Sequence, residues 1–142
     1  MEHKAECACG RVSIVVDGDP VRVLMCHCDY CQKRTGNVFQ VSCWYPHDRV
    51  LALNGETKIF NDSPNSIGVN YEFCLNCGST VHWTFDNIPQ VRGIAVGCFV
   101  DKTFPKPEID IQTQYRHQWV PPVEGVTSYE GFPPPDGLMK DL

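Results

Sequence analysis

The sequence predicts a mainly β fold that is held together by bound metal and contains little helix. Short runs of β-branched and aromatic residues, bounded by turn residues, recur along the chain in the pattern that strands produce. Only one short segment looks helical, and eleven prolines interrupt the rest. Nine cysteines are present in 142 residues, and seven of them fall into three tight groups, which is typical of metal-binding proteins.

Length, composition and charge narrow the class of protein. A chain of 142 residues has the length of one domain, so we expect residues 1–142 to form a single zinc-binding domain. With 42% hydrophobic and 20% charged residues, the chain can build a core and is not wholly disordered. Its apolar stretches are too short to cross a bilayer, and its N-terminus lacks the apolar segment of a secretion signal. We therefore expect a cytoplasmic protein that does not bind membranes.

The charge balance argues against one class of partner. The formal net charge is −5, which repels the phosphates of nucleic acids. Lys33 and Arg34 form an adjacent basic pair, and two residues cannot build a nucleic-acid-binding surface. We therefore expect no nucleic acid among the partners.

Eight runs are predicted as strands. Turn residues 17–20 separate the first run from the second. Asn54 and Gly55 separate the fourth from the fifth, and this dipeptide is a strong signal for a two-residue hairpin turn. The runs cover residues 11–16, 21–25, 38–44, 49–53, 57–60, 67–73, 80–85 and 93–99.

Helix is predicted only from Asp29 to about Thr35, where Gly36 ends it. Five prolines lie between positions 121 and 135. The segment from about Pro121 onward is therefore predicted to be a Pro-rich extended arm or a loose tail. No internal repeat covers the chain.

The cysteine count favours metal binding over a disulfide framework. Disulfide-rich proteins are secreted and carry an even number of cysteines, whereas this chain has nine and no secretion signal. In a reducing compartment clustered thiols bind metal. Cys43 and Cys98 stand alone in apolar runs, so we expect both to be small buried side chains.

Two of the cysteine groups predict a closed metal site. Residues i and i+2 of an extended strand point to the same side, so Cys7 and Cys9 can face one metal. Cys74 and Cys77 have the Cys-x-x-Cys spacing of a tight metal-binding turn. Two plus two ligands complete a tetrahedron, and such closed sites are structural.

The third group predicts an open site. Cys26, Cys28 and Cys31 offer three thiolates from one short loop, and three protein ligands with one vacant position are typical of catalytic zinc. Spacing leaves another grouping open, in which Cys43 or Cys98 supplies the fourth ligand.

At these motifs the chain resembles a known family. Cys-x-Cys-Gly begins at Cys7, Cys-His-Cys-x-x-Cys at Cys26, and Phe-Cys-x-x-Cys-Gly-Ser at Phe73. Together they resemble the glutathione-dependent formaldehyde-activating enzymes, a group that includes centromere protein V. Weaker matches to the family occur at residues 32–36, at residues 95–101, at Pro107 and at Trp119.

The resemblance implies a fold, two zinc ions and an activity. The fold is a largely β, Mss4-like sheet. The activity joins glutathione to formaldehyde, giving S-hydroxymethylglutathione, and is classed as a carbon–sulfur lyase. The family often carries an arginine shortly before its Cys-x-x-Cys, where this chain has Glu72. The implied ligands are Cys7, Cys9, Cys74 and Cys77 for a structural zinc, and Cys26, Cys28 and Cys31 for a second zinc.

These observations predict an enzyme whose partners are a small thiol and a small aldehyde. The three central cysteines act as ligands and not as nucleophiles, and the sequence assigns no catalytic residue. Lys33 and Arg34 are interpreted as solvated turn residues that could instead bind a substrate carboxylate. His27 is expected to make a hydrogen bond behind the ligands.

The alternative is a non-catalytic protein-interaction module of the same fold. In that case a buried cysteine or His27 would close the central site, and the Pro-rich arm would be an interaction segment.

Overall fold

The computed structural model describes residues 1–62, 68–139 and 142. Contacts divide the chain into two compact units. The first comprises Met1–Val21 and Cys43–Phe104, and the second comprises Arg22–Ser42 and Pro105–Leu142. The prediction that the whole chain acts as one domain stays a prediction. Strands make up most of the regular structure of the chain, so the mainly β fold class is confirmed.

The strands and helices are short. Within the described residues, the helices are α1 (Asp29–Thr35) and α2 (Pro135–Leu138), with 3-10 turns at His47–Arg49, Val96–Cys98 and Thr113–Tyr115. None of these helices has the length and apolar character needed to cross a membrane. The strands are β1 (Glu2–Glu6), β2 (Ser13–Asp17), β3 (Arg22–Cys26), β4 (Gln40–Pro46), β5 (Val50–Asn54), β6 (Thr57–Asn61), β7 (Val69–Cys74), β8 (Thr80–Phe85), β9 (Val91–Ala95), β10 (Ile109–Ile111) and β11 (Thr127–Ser128).

The first unit contains strands of two sheets. One is antiparallel, in the order β1-β2-β5. The other runs β9-β8-β7-β6 as an antiparallel meander, with β4 next to β9. Apolar side chains from both sheets are fully buried, which places the core of this unit among them. They include Ile14, Tyr45, Val81, Ile94 and Phe99.

The expected hairpin at Asn54 and Gly55 is wrong. β5 pairs with β2, and β6 pairs with β7, so the turn carries the chain from one sheet to the other. Gly55 has a φ of 90°, and a Cβ atom there would lie 2.0 Å from the carbonyl oxygen of Arg11. The glycine is therefore required by its close contact with a neighbouring backbone and not by a two-residue hairpin.

The second unit has a small parallel sheet. Its order is β11-β10-β3, with Ile111 of β10 opposite Cys26 of β3. α1 follows β3 directly and ends at Gly36, whose φ is 72°, as predicted. The arm from Pro121 onward is not simply loose, because it contributes β11 and α2 to this unit.

Other differences have local causes. The predicted strand at residues 93–99 ends at Ala95, where the 3-10 turn Val96–Cys98 begins. β1 was not predicted because its residues are mostly charged; its buried positions are His3 and Ala5. The predicted run at 67–73 corresponds to β7, and its first residue lies outside the described part of the chain.

Candidate metal centres

Four cysteines meet in the first unit. The sulfur atoms of Cys7, Cys9, Cys74 and Cys77 all lie within 4.8 Å of one another. Cys9 is 3.6 Å from Cys7 and 3.7 Å from Cys74, measured between sulfurs. The two half-sites predicted from spacing are therefore brought together, although 65 residues separate Cys9 from Cys74.

Two glycine-ended turns form this four-cysteine cluster. The amide of Gly10 donates to the carbonyl of Cys7, and the amide of Gly78 donates to that of Cys74, both at 2.9 Å. Gly10 has a φ of 78° and Gly78 a φ of 74°, which favour glycine. The structure corrects one detail, because β1 ends before Cys7 and the Cys-x-Cys pair lies in a turn and not in a strand.

Ser79 connects the two turns. Its hydroxyl oxygen accepts the amide of Ala8 at 3.2 Å and lies 3.3 Å from the sulfur of Cys77. This hydroxyl, together with backbone amides, lowers the pKa of Cys77 to about 5. One sulfur of the four-cysteine cluster is thus already in the thiolate form that metals require.

The second unit contains the three-cysteine cluster. Cys26 ends β3, Cys28 is the N-cap of α1, and Cys31 lies within that helix. Their sulfurs lie within 4.8 Å of one another, with 3.6 Å between Cys26 and Cys31. The amide of Cys31 donates to the sulfur of Cys28 at 3.1 Å. Hydrogen bonds from Cys26 and Cys31 lower the pKa of Cys28 to about 3, so this cluster also carries a thiolate.

The donor spacing fits zinc in both clusters. Two thiolates on one tetrahedral zinc, each at about 2.3 Å, lie about 3.8 Å apart. The measured sulfur separations of 3.6 and 3.7 Å are close to that value. All nine cysteines are free thiols, so no disulfide competes for these sulfurs.

His27 lies between two cysteines of the smaller cluster but does not belong to it. Its ring is fully buried, with Nε2 at 2.9 Å from Oδ1 of Asp110. Arg116 donates to the other oxygen of Asp110, which is itself buried. Burial lowers the pKa of His27, and the nearby carboxylate of Asp110 offsets only part of that effect. The expected hydrogen bond of His27 behind the ligands stays a prediction, because its ring nitrogen lies close to Asp110 without hydrogen-bond geometry, and His27 is not part of the three-cysteine cluster.

Gln32 of α1 makes several contacts around the three-cysteine cluster. Its amide nitrogen donates to the carbonyl of His27 at 2.8 Å and to that of Tyr115 at 3.1 Å. Its amide oxygen lies 2.8 Å from Nε2 of His117. Sequence reasoning assigned no role to Gln32 or Asp110. Asp110 could have been found from the sequence, because a charged residue between two isoleucines is unusual in a buried strand.

The adjacent basic residues differ in their surroundings. Lys33 is exposed and pairs with Asp29 at 2.7 Å, so the interpretation as a solvated turn residue holds for it. Arg34 is half-buried and contacts the side chain of Gln40. The hydrogen bond with Cys26 lowers the pKa of Cys31, but Cys28 and burial outweigh it and raise that pKa to about 12, and the charge of Arg34 opposes this only weakly. Arg34 is therefore the half-buried member of the basic pair.

The two remaining cysteines lie outside both clusters. Cys43 is fully buried, as predicted, and burial raises the pKa of its thiol. Cys98, in the 3-10 turn Val96–Cys98, is only partly buried, so its expected burial is wrong. Both belong to the first unit, and neither joins the three-cysteine cluster.

Glu72 lies in the stretch before Cys74 that lacks an arginine, and it forms an ion pair with Arg92. Arg92 of β9 donates to its carboxylate, and Nδ1 of His82 lies 3.2 Å from the same oxygen. Burial opposes ionisation of Glu72, but these two contacts prevail and hold its pKa at about 2. Glu72 is therefore an ionised partner in a buried cluster within the first unit.

Comparisons with known proteins agree with these features. The family model for the glutathione-dependent formaldehyde-activating enzyme matches residues 2–115. A search of curated proteins gave no match. Among solved structures, the fold is similar to the crystal structure of a Rhodobacter sphaeroides protein, a Northeast Structural Genomics target. The TM-score is 0.53 at 20% identity, and the match covers 67% of this chain and 85% of that one.

Proposed function

Because the chain belongs to the glutathione-dependent formaldehyde-activating enzyme family, we propose that it is a zinc-dependent, carbon–sulfur lyase-type enzyme. It adds a low-molecular-weight thiol, glutathione or a similar one, to formaldehyde or another small electrophile. The observation that carries the proposal is the difference between the clusters. One offers four sulfurs, whereas the other, within the described residues, offers three. A reduced, cytoplasmic location suits an enzyme that needs seven free thiols.

The ligand roles follow from the donor counts. Cys7, Cys9, Cys74 and Cys77 would hold a structural zinc with a complete tetrahedral shell, and the three-cysteine cluster would hold a zinc with one position for substrate. When bound there, zinc supplies a site at which a thiol ionises at neutral pH.

The reaction depends mainly on holding the thiol close to the aldehyde. The sulfur forms a bond to the aldehyde carbon, the π bond of the carbonyl opens, and the oxygen takes the proton that the thiol released. Fixing both reactants converts an encounter in solution into a step within one complex. No cysteine of the chain forms a covalent bond to substrate.

Arg34 is the residue placed to select the thiol. It lies one helical turn after Cys31 and is half-buried, whereas Lys33 next to it is exposed and paired with Asp29. A guanidinium at this position can pair with a carboxylate of the thiol substrate and offset the charge of three thiolates. Thiols that carry carboxylates, such as glutathione, are therefore the favoured substrate class.

The competing function, a non-catalytic interaction module, has one observation in its favour. Trp119 and Phe132 of the second unit are 71% and 65% exposed, which suits contact with another protein. In that case both zinc ions would be structural, and the chain would not speed up the addition of thiols to aldehydes.

The test measures adduct exchange, which is the rate at which ¹³C-formaldehyde passes between its free form and its thiol adduct. The rate is followed by NMR for a panel of thiols. The zinc-loaded protein should accelerate exchange above the uncatalysed rate, and Cys28→Ser should abolish this while Cys98→Ser retains it. Arg34→Gln should raise KM for glutathione but not for a thiol without carboxylates, and Lys33→Gln is the matched control. A folded Cys28→Ser protein with undiminished acceleration would refute the proposal.

A further inference from the structure

The segment from Asp110 to His117 contacts both parts of the loop that carries the three-cysteine cluster. One part runs from Cys26, the last residue of β3, to Cys28, and the other is α1 with Cys31. All of these residues belong to the second unit. Nothing in the proposed reaction accounts for these contacts.

The first contact is buried and charged. His27 lies between Cys26 and Cys28, and neighbouring side chains of an extended segment point to opposite sides. Its ring reaches Asp110 at 2.9 Å, and both side chains are at most 1% exposed. Arg116 pairs with the second carboxylate oxygen, so the buried charge is compensated. The ring therefore anchors the cysteine loop to Asp110 of β10.

The second contact is a hydrogen-bonded bridge through Gln32. Its amide nitrogen joins the carbonyl of His27 to that of Tyr115, and its oxygen meets the ring of His117. One side chain thus links the cysteine loop, the helix that carries Cys31 and the C-terminal segment. A backbone hydrogen bond from His27 to Ile111 at 3.1 Å completes the connection.

We propose that Asp110 and Gln32 are positioning residues that hold the three sulfurs in their metal-binding arrangement. Three thiolates within 4.8 Å of one another would repel, and a short loop with only three ligands has no fourth ligand to restrain it. The contacts from residues 110–117 supply that restraint. The inference rests on the proposed function only in assigning a metal to these sulfurs.

The test compares Asp110→Asn with Asp62→Asn in the zinc-loaded full-length protein. Asp62 is the matched control, because it is also buried but lies in the first unit and accepts the amide of Val69. Zinc release to a chromophoric chelator should become about 10–100-fold faster for one of the two ions in Asp110→Asn. The other ion should leave at the wild-type rate, and Asp62→Asn should not accelerate release from the three-cysteine cluster.

A second variant guards against failure to fold. Gln32→Glu keeps the shape of a side chain near the surface but removes both amide donors. Its control is Gln114→Glu, which changes an exposed glutamine of the 110–117 segment. With Co²⁺ in place of zinc, Gln32→Glu should alter the visible absorption of one bound ion, while Gln114→Glu should leave both spectra unchanged.

The outcomes separate this proposal from the proposed function. Wild-type release rates and Co²⁺ spectra in both variants would overturn the positioning role, whatever the exchange assay shows. Equal acceleration by Asp62→Asn would overturn it too, since the effect would then be general destabilisation. Faster release of one ion in Asp110→Asn, together with a wild-type protein that fails to accelerate adduct exchange, would support positioning and refute the enzyme.

Discussion

Loss of a ligand should affect the two clusters very differently, because they close chain segments of different length. Cys9 and Cys74 are 65 residues apart, whereas Cys26 and Cys31 are 5 apart. Treated as cross-links, a 65-residue closure restricts the unfolded chain by about 4 kcal/mol and a 5-residue closure by about 2 kcal/mol. The free energy of unfolding of a small domain is about 5–15 kcal/mol. Only the loss of the 65-residue closure therefore approaches the total stability of the domain.

We therefore expect Cys77→Ser to produce insoluble or molten protein without cooperative unfolding. Cys28→Ser should stay folded with a free energy of unfolding lower by about 2 kcal/mol. Cys98→Ser is the matched control, since it removes a thiol of the first unit that belongs to neither cluster. Urea unfolding followed by circular dichroism measures stability, and elemental analysis measures zinc per chain.

Three outcomes would contradict these expectations. Equal destabilisation by Cys77→Ser and Cys28→Ser would mean that loop length does not govern the effect and that both sites are structural. Loss of a zinc in Cys98→Ser would mean that Cys98 is a ligand. A cooperative Cys77→Ser transition at the wild-type midpoint, with one zinc lost, would show that the four-cysteine cluster does not stabilise the fold.

Three further outcomes are expected. The purified protein should contain two zinc ions per chain by elemental analysis, and a mild chelator should remove one before the other, because three ligands hold zinc less tightly than four. Cys43→Ala should keep both ions and cost about 1–2 kcal/mol in denaturant unfolding, whereas Cys98→Ala, at a partly exposed position, should cost less. Gly93→Ala should destabilise by about 1–3 kcal/mol and shift tryptophan fluorescence, because its Cβ would lie 2.0 Å from Nε1 of Trp83. Wild-type values in any of these measurements would contradict the corresponding expectation.

Local patterns explain what could be predicted from the sequence. The three cysteine groups are visible in spacings of two and three residues, which constrain local geometry, whereas spacing left their division into four and three open and the family resemblance implied it. The helix from Asp29 to Thr35 was found for the same reason, since Gly36 marks its end. The strand β8 at Thr80–Phe85 matches its predicted run because alternation there is uninterrupted.

Long-range pairing explains what could not be predicted. Nothing within residues 49–61 shows that β5 joins β2 while β6 joins β7, because both partner strands lie elsewhere in the chain. The partner of His27 lies more than eighty residues later, at Asp110. The sequence around Glu72 indicates the loss of a cation, but Arg92 of a different strand pairs with Glu72.

The N-cap of α1 has a thermodynamic consequence. Cys28 caps this helix with its sulfur, the same atom that would bind metal, and the helix has only seven residues. A helix of that length does not persist by itself, and a cap contributes about 1 kcal/mol. The helix–coil equilibrium of α1 and the ligation state of Cys28 are therefore linked quantities.

Backbone amides should report this linkage. The amides of Gln32 and Gly36 are hydrogen-bonded within the first and last turns of α1. Their exchange with deuterium should slow when the sulfur is ligated and quicken when it is released. Two amides of one short helix thus make the occupancy of the three-cysteine cluster readable from the backbone, without any probe of the metal itself.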